Sequence, residues 1–445
     1  MSDAESQIKK PKMCPETEES KTHITQTTQL TCAHFVKRKK RYCKMTVSKG
    51  KQYCGEHEPA KQTDEESAAD VGERIPCPLD PKHTVYKKKL QKHLRICNAR
   101  QSEDEPAYVV RSINAGIRDD KDAEDYSKLK LSELEDAEFY KVVEKVQQLY
   151  AQHVEGNIGS VECQHKLLDP ELAKKENGKE ARKHLLQTSA LLGILEQEQQ
   201  LDDGVSFIEF GAGKGQLAFY LAQTLYEQKN SQVVLLDRMS LRHKKDNKIE
   251  DKTLVHRIRV DIADFSINNL EILLRSERLV AVSKHLCGGA TDLALRCITQ
   301  AVDENLKSSK FRPQTEFILI ALCCHHRCDW QTFVGKDFFC SNDVNPREFA
   351  IITKMVGWAI CGSGMSRERR RALEEQSLTG QTIQDTANQR LSQKERERIG
   401  FMCKRVLDHA RLIYLRQHHF DASLKYYVSH DVTLENVCLL AKKLK

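Results

Sequence analysis

FIEFGAGKGQLAFYLAQTL, residues 207–225, is the stretch that decides the fold of this chain. It begins with a short apolar strand that reaches Glu209, and a turn with three glycines follows, at Gly211, Gly213 and Gly215. The residues after the turn have the apolar spacing of a helix. Glycines allow a tight turn and let a ligand approach the backbone at the start of a helix. The stretch therefore predicts a strand, a glycine turn and a helix that bind a nucleotide-like ligand.

Two familiar nucleotide-binding motifs do not fit this turn. A phosphate-binding P-loop needs Ser or Thr after its lysine, where this chain has Gly215. The dinucleotide fingerprint has a later third glycine and no acid before the turn. EFGAGKG instead resembles motif I of the S-adenosylmethionine-dependent Rossmann methyltransferases. That resemblance implies that Glu209, Gly211, Gly213 and Gly215 bind S-adenosylmethionine.

Short apolar runs continue on both sides of the turn and alternate with helical stretches. This alternation over more than 200 residues predicts a doubly wound α/β sheet. The resemblance implies a Rossmann-like class I methyltransferase core, a mostly parallel seven-stranded sheet with helices on both faces. The strand candidates are residues 207–210, 233–236, 255–260, 279–283, 317–322, 411–415 and 424–428.

Acids follow the second and third of these strands. Asp237 ends VVLLD, and Asp261 lies in RVDIADF. The resemblance implies that Asp237 accepts hydrogen bonds from the cofactor ribose and that Asp261 faces the adenine amino group. Each acid alone can also be a turn cap, but three elements in the expected order favour a methyltransferase.

Two sets of cysteines and histidines precede this core. The first is spaced C-x10-C-x10-C-x2-H and the second C-x5-H-x9-H-x3-C, and the proposed ligands are Cys32, Cys43, Cys54 and His57, then Cys77, His83, His93 and Cys97. Four such ligands suffice for a tetrahedral structural zinc ion, and zinc binding supplies folding free energy to short polar segments. The second spacing resembles the CHHC zinc finger family of minor-spliceosome and RNA-modification proteins, which suggests RNA contact.

Charge and composition limit the function classes. Eight Lys and Arg lie between residues 37 and 51, and seven more between residues 82 and 100, which favours phosphate contacts over a merely solvated face. No run of 18 apolar residues exists, so no membrane span is predicted. The first 30 residues have no apolar core of a targeting peptide, so we expect a cytoplasmic or nuclear protein. Its 16 cysteines should then stay reduced.

EFGAGKG, SKHLCGGATD and ALCCHHRC, following CCCH and CHHC modules, together resemble one family. It is the eukaryotic tRNA 2′-O-ribose methyltransferase family that acts on nucleotide 4 of the acceptor stem, and the resemblance covers residues 31–444. It implies S-adenosylmethionine as cofactor, two structural zinc ions and the tRNA acceptor stem as partner. The alternatives are an RNA-binding scaffold with an inactive core and a protein methyltransferase. The oligomeric state stays open.

The fourth and fifth strand ends carry the candidates for catalysis. Ligands of open α/β sheets bind at the carboxyl ends of strands, so SKHLC and CCHHRC should face one crevice. A ribose hydroxyl needs a general base or a cation beside it. Lys284, His285 and His325 are the catalytic candidates: we expect Lys284 or His285 to contact the hydroxyl and His325, with Arg327, to hold phosphates.

The cysteines at these strand ends allow two other interpretations. They either pack as small apolar side chains beside the active site, or they bind a third metal ion. The candidate ligands for such an ion are Cys323, Cys324, His325, His326 and Cys328, with Cys287 as a further one.

The predicted domain organisation follows from these patterns. Residues 1–30 form a disordered tail, 31–60 the CCCH module, 61–73 a linker, 74–100 the CHHC finger, 101–126 an acidic linker, 127–184 a helical connector, and 185–445 the methyltransferase domain with a polar insertion at 363–393.

Overall fold

The structure is a computed structural model that describes residues 31–36, 41–43, 47, 52–53, 74–97, 105–116, 125–239, 241, 244–307, 312–359 and 390–444. The chain divides into two compact units, Met1–Glu103 and Asp104–Lys445. The predicted tail, the linker 61–73 and all but the last residues of the predicted insertion 363–393 lie outside the described residues.

The first unit contains two small modules. Its elements are β1 (Phe35–Val36), β2 (Arg41–Tyr42), β3 (Arg74–Cys77), β4 (Asp80–Tyr86) and α1 (Leu90–Ile96). Strands β1 and β2 are antiparallel, and so are β3 and β4. The sequence predicted a helix from Val85, but Val85 pairs with Ile75 in the β3–β4 hairpin and α1 begins at Leu90. Val85 and Tyr86 belong to the hairpin and not to the helix, because Val85 buries its apolar side chain there.

The second unit is built on one sheet. Its elements are α2 (Asp136–His153), β5 (Gly159–Ser160), α3 (Asp169–Leu172), α4 (Lys179–Gln197), β6 (Val205–Phe210), α5 (Gln216–Thr224), β7 (Gln232–Leu236), β8 (Val255–Ile258), β9 (Arg278–Cys287), α6 (Gly289–Lys307), β10 (Thr315–Cys323), α7 (Lys336–Cys340), α8 (Pro346–Met355), α9 (Gln393–Gln417), β11 (Phe420–Tyr426) and β12 (Val437–Lys443).

The strand order is β5-β11-β12-β10-β9-β6-β7-β8. Strands β8, β7, β6, β9 and β10 are parallel neighbours, and β12 runs antiparallel between β10 and β11. Apolar clusters cover both faces of the sheet. The predicted class I methyltransferase fold is thus confirmed, with an eighth edge strand of two residues, β5, added to the expected seven.

The C-terminal part of the sheet corrects the sequence prediction. Residues 411–415 were expected to form a strand, but they lie in α9, which starts with a capping box between Ser392 and Glu395. A short apolar run has the same appearance in a buried strand and in a buried helix, and α9 is buried along its face toward the sheet. The strand β12 had not been predicted at all.

The connector predicted for residues 127–184 is part of the second unit. Its long helix, α2, begins at Asp136 and not at Ser127, and its apolar side packs against α8 and α9. The predicted start of the methyltransferase domain, Leu185, lies inside α4. Within the described ranges, every helix is too short or too polar to cross a bilayer.

A buried ion pair joins α6 to α9. The guanidinium of Arg411 donates from Nε to Asp292 Oδ1 over 3.0 Å and from Nη2 to Oδ2 over 2.7 Å, and both side chains are fully buried. Removing Asp292 leaves the buried guanidinium of Arg411 without its hydrogen-bonded partner, and the nearest other carboxylate, Asp408, lies 3.7 Å away. We therefore expect Asp292→Ala to lower the free energy of unfolding by about 3–5 kcal/mol.

Urea unfolding of the full-length protein measures this effect. Glu171→Ala is the matched control, because Glu171 pairs with Lys174 on the surface, where such a pair contributes at most about 1 kcal/mol. Equal midpoints for the two variants would contradict the expected cost of the buried charge.

Candidate functional site

The glycine turn between β6 and α5 has the geometry that its sequence predicted. Gly211, Gly213 and Gly215 all have positive φ angles, of 66°, 54° and 71°. A Cβ at Gly215 would lie 2.7 Å from Asp246 Oδ1, whereas a Cβ at Gly213 would meet nothing within 4 Å. The turn therefore requires glycine for its backbone, and the space beside Gly213 is open to a ligand.

Asp237 lies next to this turn, at the end of β7. Its Oδ2 accepts a hydrogen bond of 2.7 Å from the Gly213 backbone N–H, and Oδ1 accepts one of 2.7 Å from the Met239 N–H. A carboxylate has about four acceptor positions, so two remain. These free positions and the open space at Gly213 fit a ligand with a pair of hydroxyls, as in the ribose of S-adenosylmethionine.

Asp261 follows β8 and caps a short helical turn. Its Oδ1 accepts a hydrogen bond of 3.0 Å from the Ala263 N–H, while Oδ2 lies 3.8 Å from Arg238 Nη1. The side chain is partly exposed, so its carboxylate is accessible from solvent. This position fits the predicted contact with an adenine amino group and also the turn cap that the sequence left open.

Glu209 differs from the other predicted cofactor residues because it is buried beneath the turn. Its Oε2 accepts a hydrogen bond of 3.0 Å from the Ala218 N–H, at the start of α5. Burial raises the pKa of Glu209 to about 8. Glu209 thus ties the strand to the helix, and the observed contacts make it a positioning residue for the turn.

Lys284 lies on β9 beside the turn. Its Nζ donates to the His184 carbonyl and to Thr188 Oγ1 of α4, each over 3.0 Å. An ammonium has three donors, so one is left for a substrate. Burial lowers the pKa of Lys284 to about 8, although the charge of Glu209 opposes this shift. Lys284 is therefore partly deprotonated near neutral pH.

His285 has an exposed edge and a left-handed backbone, with φ of 70°. Its Nε2 lies 3.3 Å from His184 Nδ1. The surrounding protein removes water from most of the ring and so disfavours the charged imidazolium. Together with the charge of Lys284, this desolvation lowers the pKa of His285 to about 4, so its imidazole is neutral at pH 7. At the end of β9, both Lys284 and His285 therefore have a form that can accept a proton from a hydroxyl near neutral pH.

His325 lies elsewhere than the sequence predicted. Its side chain is fully buried, and Nε2 lies 2.5 Å from Asp408 Oδ1 on α9. A ring in this position cannot reach an RNA phosphate, so the expected role of His325 as a catalytic or phosphate-binding residue is not supported. His325 instead joins a buried charged cluster with Arg405, Asp408 and Arg411.

Neighbouring residues of the same segment are exposed. His326 and Arg327 line a cleft of about 550 Å³ together with Trp330 and Lys354. This cleft presents cationic and aromatic side chains near the end of β10. Arg327 is thus exposed in this cleft, and its predicted contact with a phosphate stays a prediction.

Four residues that hold the site had no signal in the sequence. Arg257 donates to both carboxylate oxygens of Asp246, over 2.9 and 2.8 Å, and its Nη1 donates to the Gly213 carbonyl over 3.1 Å. The His184 carbonyl and Thr188 Oγ1 accept the two hydrogen bonds from Lys284 Nζ. The sequence around these four residues predicts only a polar loop, a strand or an amphipathic helix. Contacts between distant elements leave no local pattern in the sequence.

The CHHC module brings three of its predicted ligands together. Cys77 Sγ lies 3.7 Å from Cys97 Sγ and 3.2 Å from His93 Nε2. Such a set of two thiols and one imidazole fits a zinc ion, and the backbone of His83 is in β4, although its side chain lies outside the described residues. A zinc ion here would link the β3–β4 hairpin to the end of α1.

The CCCH module is described in part. Cys32 and Cys43 are buried and pack with Val47 and Tyr53, while the predicted ligands Cys54 and His57 lie outside the described residues. A backbone hydrogen bond of 2.8 Å from the Cys43 N–H to the His34 carbonyl closes the β1–β2 segment. Buried thiols in so small a module agree with metal ligation.

Zinc analysis tests the CHHC ligands. Cys77→Ala protein is expected to hold one zinc ion fewer per chain than the unaltered protein, because the remaining thiol and imidazoles bind the ion too weakly. Elemental analysis of the dialysed full-length protein gives the count. Cys297→Ala, at a buried thiol of α6, is the control. A zinc content that Cys77→Ala leaves unchanged would rule Cys77 out as a ligand.

Comparison with known proteins agrees with this arrangement. The family described as Methyltransferase TRM13 matches residues 186–442, the CCCH zinc finger in TRM13 protein matches residues 30–58, and the U11-48K-like CHHC zinc finger matches residues 74–98. Among solved structures, that of the plantazolicin methyltransferase BpumL covers 69% of this chain and 98% of its own at 12% identity, with a TM-score of 0.28. That likeness is low, and the fold rests on the strand order.

Curated relatives match nearly the whole chain. The "tRNA:m(4)X modification enzyme TRM13 homolog" of Mus musculus is 34% identical over 92% of this chain and 94% of its own length. The protein of the same name from Homo sapiens is 33% identical over the same shares. The "tRNA:m(4)X modification enzyme TRM13" of Scheffersomyces stipitis is 30% identical over 90% of this chain and 98% of its own. The chain therefore belongs to the TRM13 family of S-adenosylmethionine-dependent methyltransferases, with a CCCH and a CHHC zinc finger ahead of its methyltransferase domain.

Proposed function

We propose that this protein transfers a methyl group from S-adenosylmethionine to the ribose 2′-hydroxyl of nucleotide 4 in a tRNA acceptor stem. The observation that carries the proposal is Lys284, a buried amine with one free donor and a pKa near 8 beside the glycine turn. The names of the relatives, tRNA:m(4)X modification enzymes, support tRNA as the substrate and position 4 as the target.

When bound, S-adenosylmethionine supplies an electrophilic methyl group, and the protein has to align an oxygen with it. Asp237 and the backbone of the glycine turn hold the cofactor ribose, and Asp261 faces the adenine. A ribose hydroxyl is a poor nucleophile while it is protonated. Lys284 as a neutral amine accepts this proton, with His285 as the second candidate for the same task.

Exposed groups of the first unit support RNA binding. Lys87, Lys88, Lys89, Lys92 and Arg95 are all exposed on the CHHC module, where they suit sequence-independent phosphate contacts. In the CCCH module the rings of Phe35 and Tyr42 are exposed and meet edge to face at 5.3 Å between centroids. Exposed aromatic rings beside basic residues are typical of nucleic-acid contact surfaces.

In the second unit, the cleft of His326, Arg327, Trp330 and Lys354 is the candidate contact for the acceptor stem. We infer a cytoplasmic or nuclear location, because both compartments contain tRNA and keep cysteine ligands reduced. A nucleic-acid scaffold with an inactive core is disfavoured by the intact glycine turn and by Asp237. A protein substrate leaves the basic modules without a role.

The test uses full-length protein, labelled S-adenosylmethionine and unmodified tRNA, with digestion to nucleosides and mass spectrometry. We expect a 2′-O-methylnucleoside from unmodified tRNA and no label in the same tRNA with a 2′-deoxynucleotide at position 4. Label in the deoxy substrate would contradict the site or the target atom. Label on a base would refute ribose methylation, and tRNA binding without any transfer would favour the scaffold.

A further inference from the structure

Three thiols meet where the two central strands β9 and β10 end. Cys287 is the last residue of β9, Cys323 is the last of β10, and Cys324 follows it. Cys287 and Cys323 are direct partners in the parallel register. The three Sγ atoms lie within 4.8 Å of one another, and the Sγ atoms of Cys287 and Cys324 are 3.2 Å apart.

This spacing is that of a metal-ligand set. Four-coordinate zinc with Zn–S bonds of about 2.3 Å separates its sulfur ligands by about 3.8 Å. The ligand atoms of the CHHC finger provide an internal standard, with 3.7 Å from Cys77 to Cys97 and 3.2 Å from Cys77 to His93. The thiols at the strand ends are grouped about as closely as those of the zinc finger.

Packing of thiols as small apolar groups does not account for this cluster. Cys287 and Cys324 are only half-buried, whereas Cys297, Cys403 and Cys438 are buried completely. Cys324 also adopts a left-handed backbone, with φ of 53°, which is unfavourable for a residue with a side chain. Strain of this kind persists where the surrounding structure fixes a functional group.

The structure also reduces the larger ligand set that the sequence allowed. His325 is held by Asp408, and Cys328 Sγ accepts a hydrogen bond of 3.0 Å from Arg411 Nη2. Both residues therefore face the charged cluster under α9. Among the described residues, the compact group at these strand ends consists of the three thiols alone.

We propose that Cys287, Cys323 and Cys324 bind a zinc ion as thiolates, at a third metal site in this protein. Each thiol gives up its proton to solvent when its sulfur binds the ion, and the valence of zinc does not change. A water molecule completes a tetrahedral set. The site links the carboxyl ends of β9 and β10, three residues after Lys284, so its role is to position this strand end.

The zinc content of the full-length protein tests the site without reference to RNA or methyl transfer. The protein is equilibrated with zinc and a reductant, freed of loosely bound ions, and subjected to elemental analysis. We expect three zinc ions per chain, falling to two in Cys287→Ala and in Cys324→Ala. Cys297→Ala, at a buried thiol of the adjoining helix, should keep three.

Cobalt replacement gives a second measurement, in which the unaltered protein is compared with the conservative variant Cys324→Ser. We expect the cobalt-loaded unaltered protein to show thiolate-to-cobalt absorption from three sites, and the intensity to fall in Cys324→Ser. Two zinc ions in the unaltered protein, or three that persist in Cys287→Ala, would overturn the proposal. A disulfide between Cys287 and Cys324, seen as a loss of two hydrogens in the mass of protein kept under reductant, would overturn it too.

Discussion

Asp237→Ala protein is expected to bind S-adenosylmethionine at least about 100-fold more weakly than the unaltered protein. In the proposed function, the substitution removes two charged hydrogen bonds to the cofactor ribose, each of about 1.5–3 kcal/mol. It also removes the 2.7 Å bond that holds the Gly213 N–H in the turn. About 1.4 kcal/mol corresponds to a factor of ten in affinity, so the loss of both hydrogen bonds predicts an affinity about 100-fold to 10,000-fold lower.

Calorimetric titration of the full-length protein with S-adenosylmethionine measures this loss. Asp251→Ala is a matched control, because Asp251 also caps a turn through its carboxylate but precedes β8, at the amino ends of the parallel strands, whereas Asp237 follows the carboxyl end of β7. Asp251→Ala should bind the cofactor normally. If Asp237→Ala binds the cofactor as tightly as this control does, Asp237 is not a ligand of the ribose.

Lys284→Ala protein is expected to methylate tRNA about 10²–10⁴ times more slowly in single turnovers, the usual contribution of a general base. Binding of S-adenosylmethionine should be nearly unchanged. Thr188 Oγ1 keeps a hydrogen bond of 2.8 Å to the His184 carbonyl when the amine is removed, so α4 retains its local structure. Lys284→Arg should not restore the rate, because a guanidinium does not deprotonate.

The pH dependence follows from the same assignment. Because burial lowers the pKa of Lys284 to about 8, the neutral amine becomes the major form above that pH. The single-turnover rate should therefore rise with pH and level off above about 8. A rate that falls over this range would instead indicate that the ammonium stabilises negative charge on the oxygen.

Lys174→Ala is the control for these rates, since Lys174 is a lysine of the same unit that pairs with Glu171 at the surface. It should leave both the rate and its pH profile unchanged. His285→Ala decides between the two candidate bases. Near-normal single-turnover rates in both Lys284→Ala and His285→Ala would exclude both residues from proton transfer.

Features confined to short segments were predictable. The glycine turn directly follows β6, Asp237 directly follows β7, and His93 and Cys97 lie four residues apart at the end of α1, so each of these features has a local pattern in the sequence. Helix and strand assignment failed where a short apolar run fitted both, as at residues 411–415, because only the long buried face of α9 distinguishes the two.

The amino-acid sequence by itself determined the class of this protein, because a strand, a glycine turn and a helix are specified locally and in order. The tertiary structure alone decided which side chains of CCHHRC, residues 323–328, are buried under α9 and which lie at the strand ends. His325 is drawn inward by Asp408, which lies 83 residues later, while Cys323 and Cys324 meet Cys287 from a neighbouring strand. The pairing register of β9 with β10 and the burial of α9 set these contacts, and neither is encoded in the spacing of the residues involved.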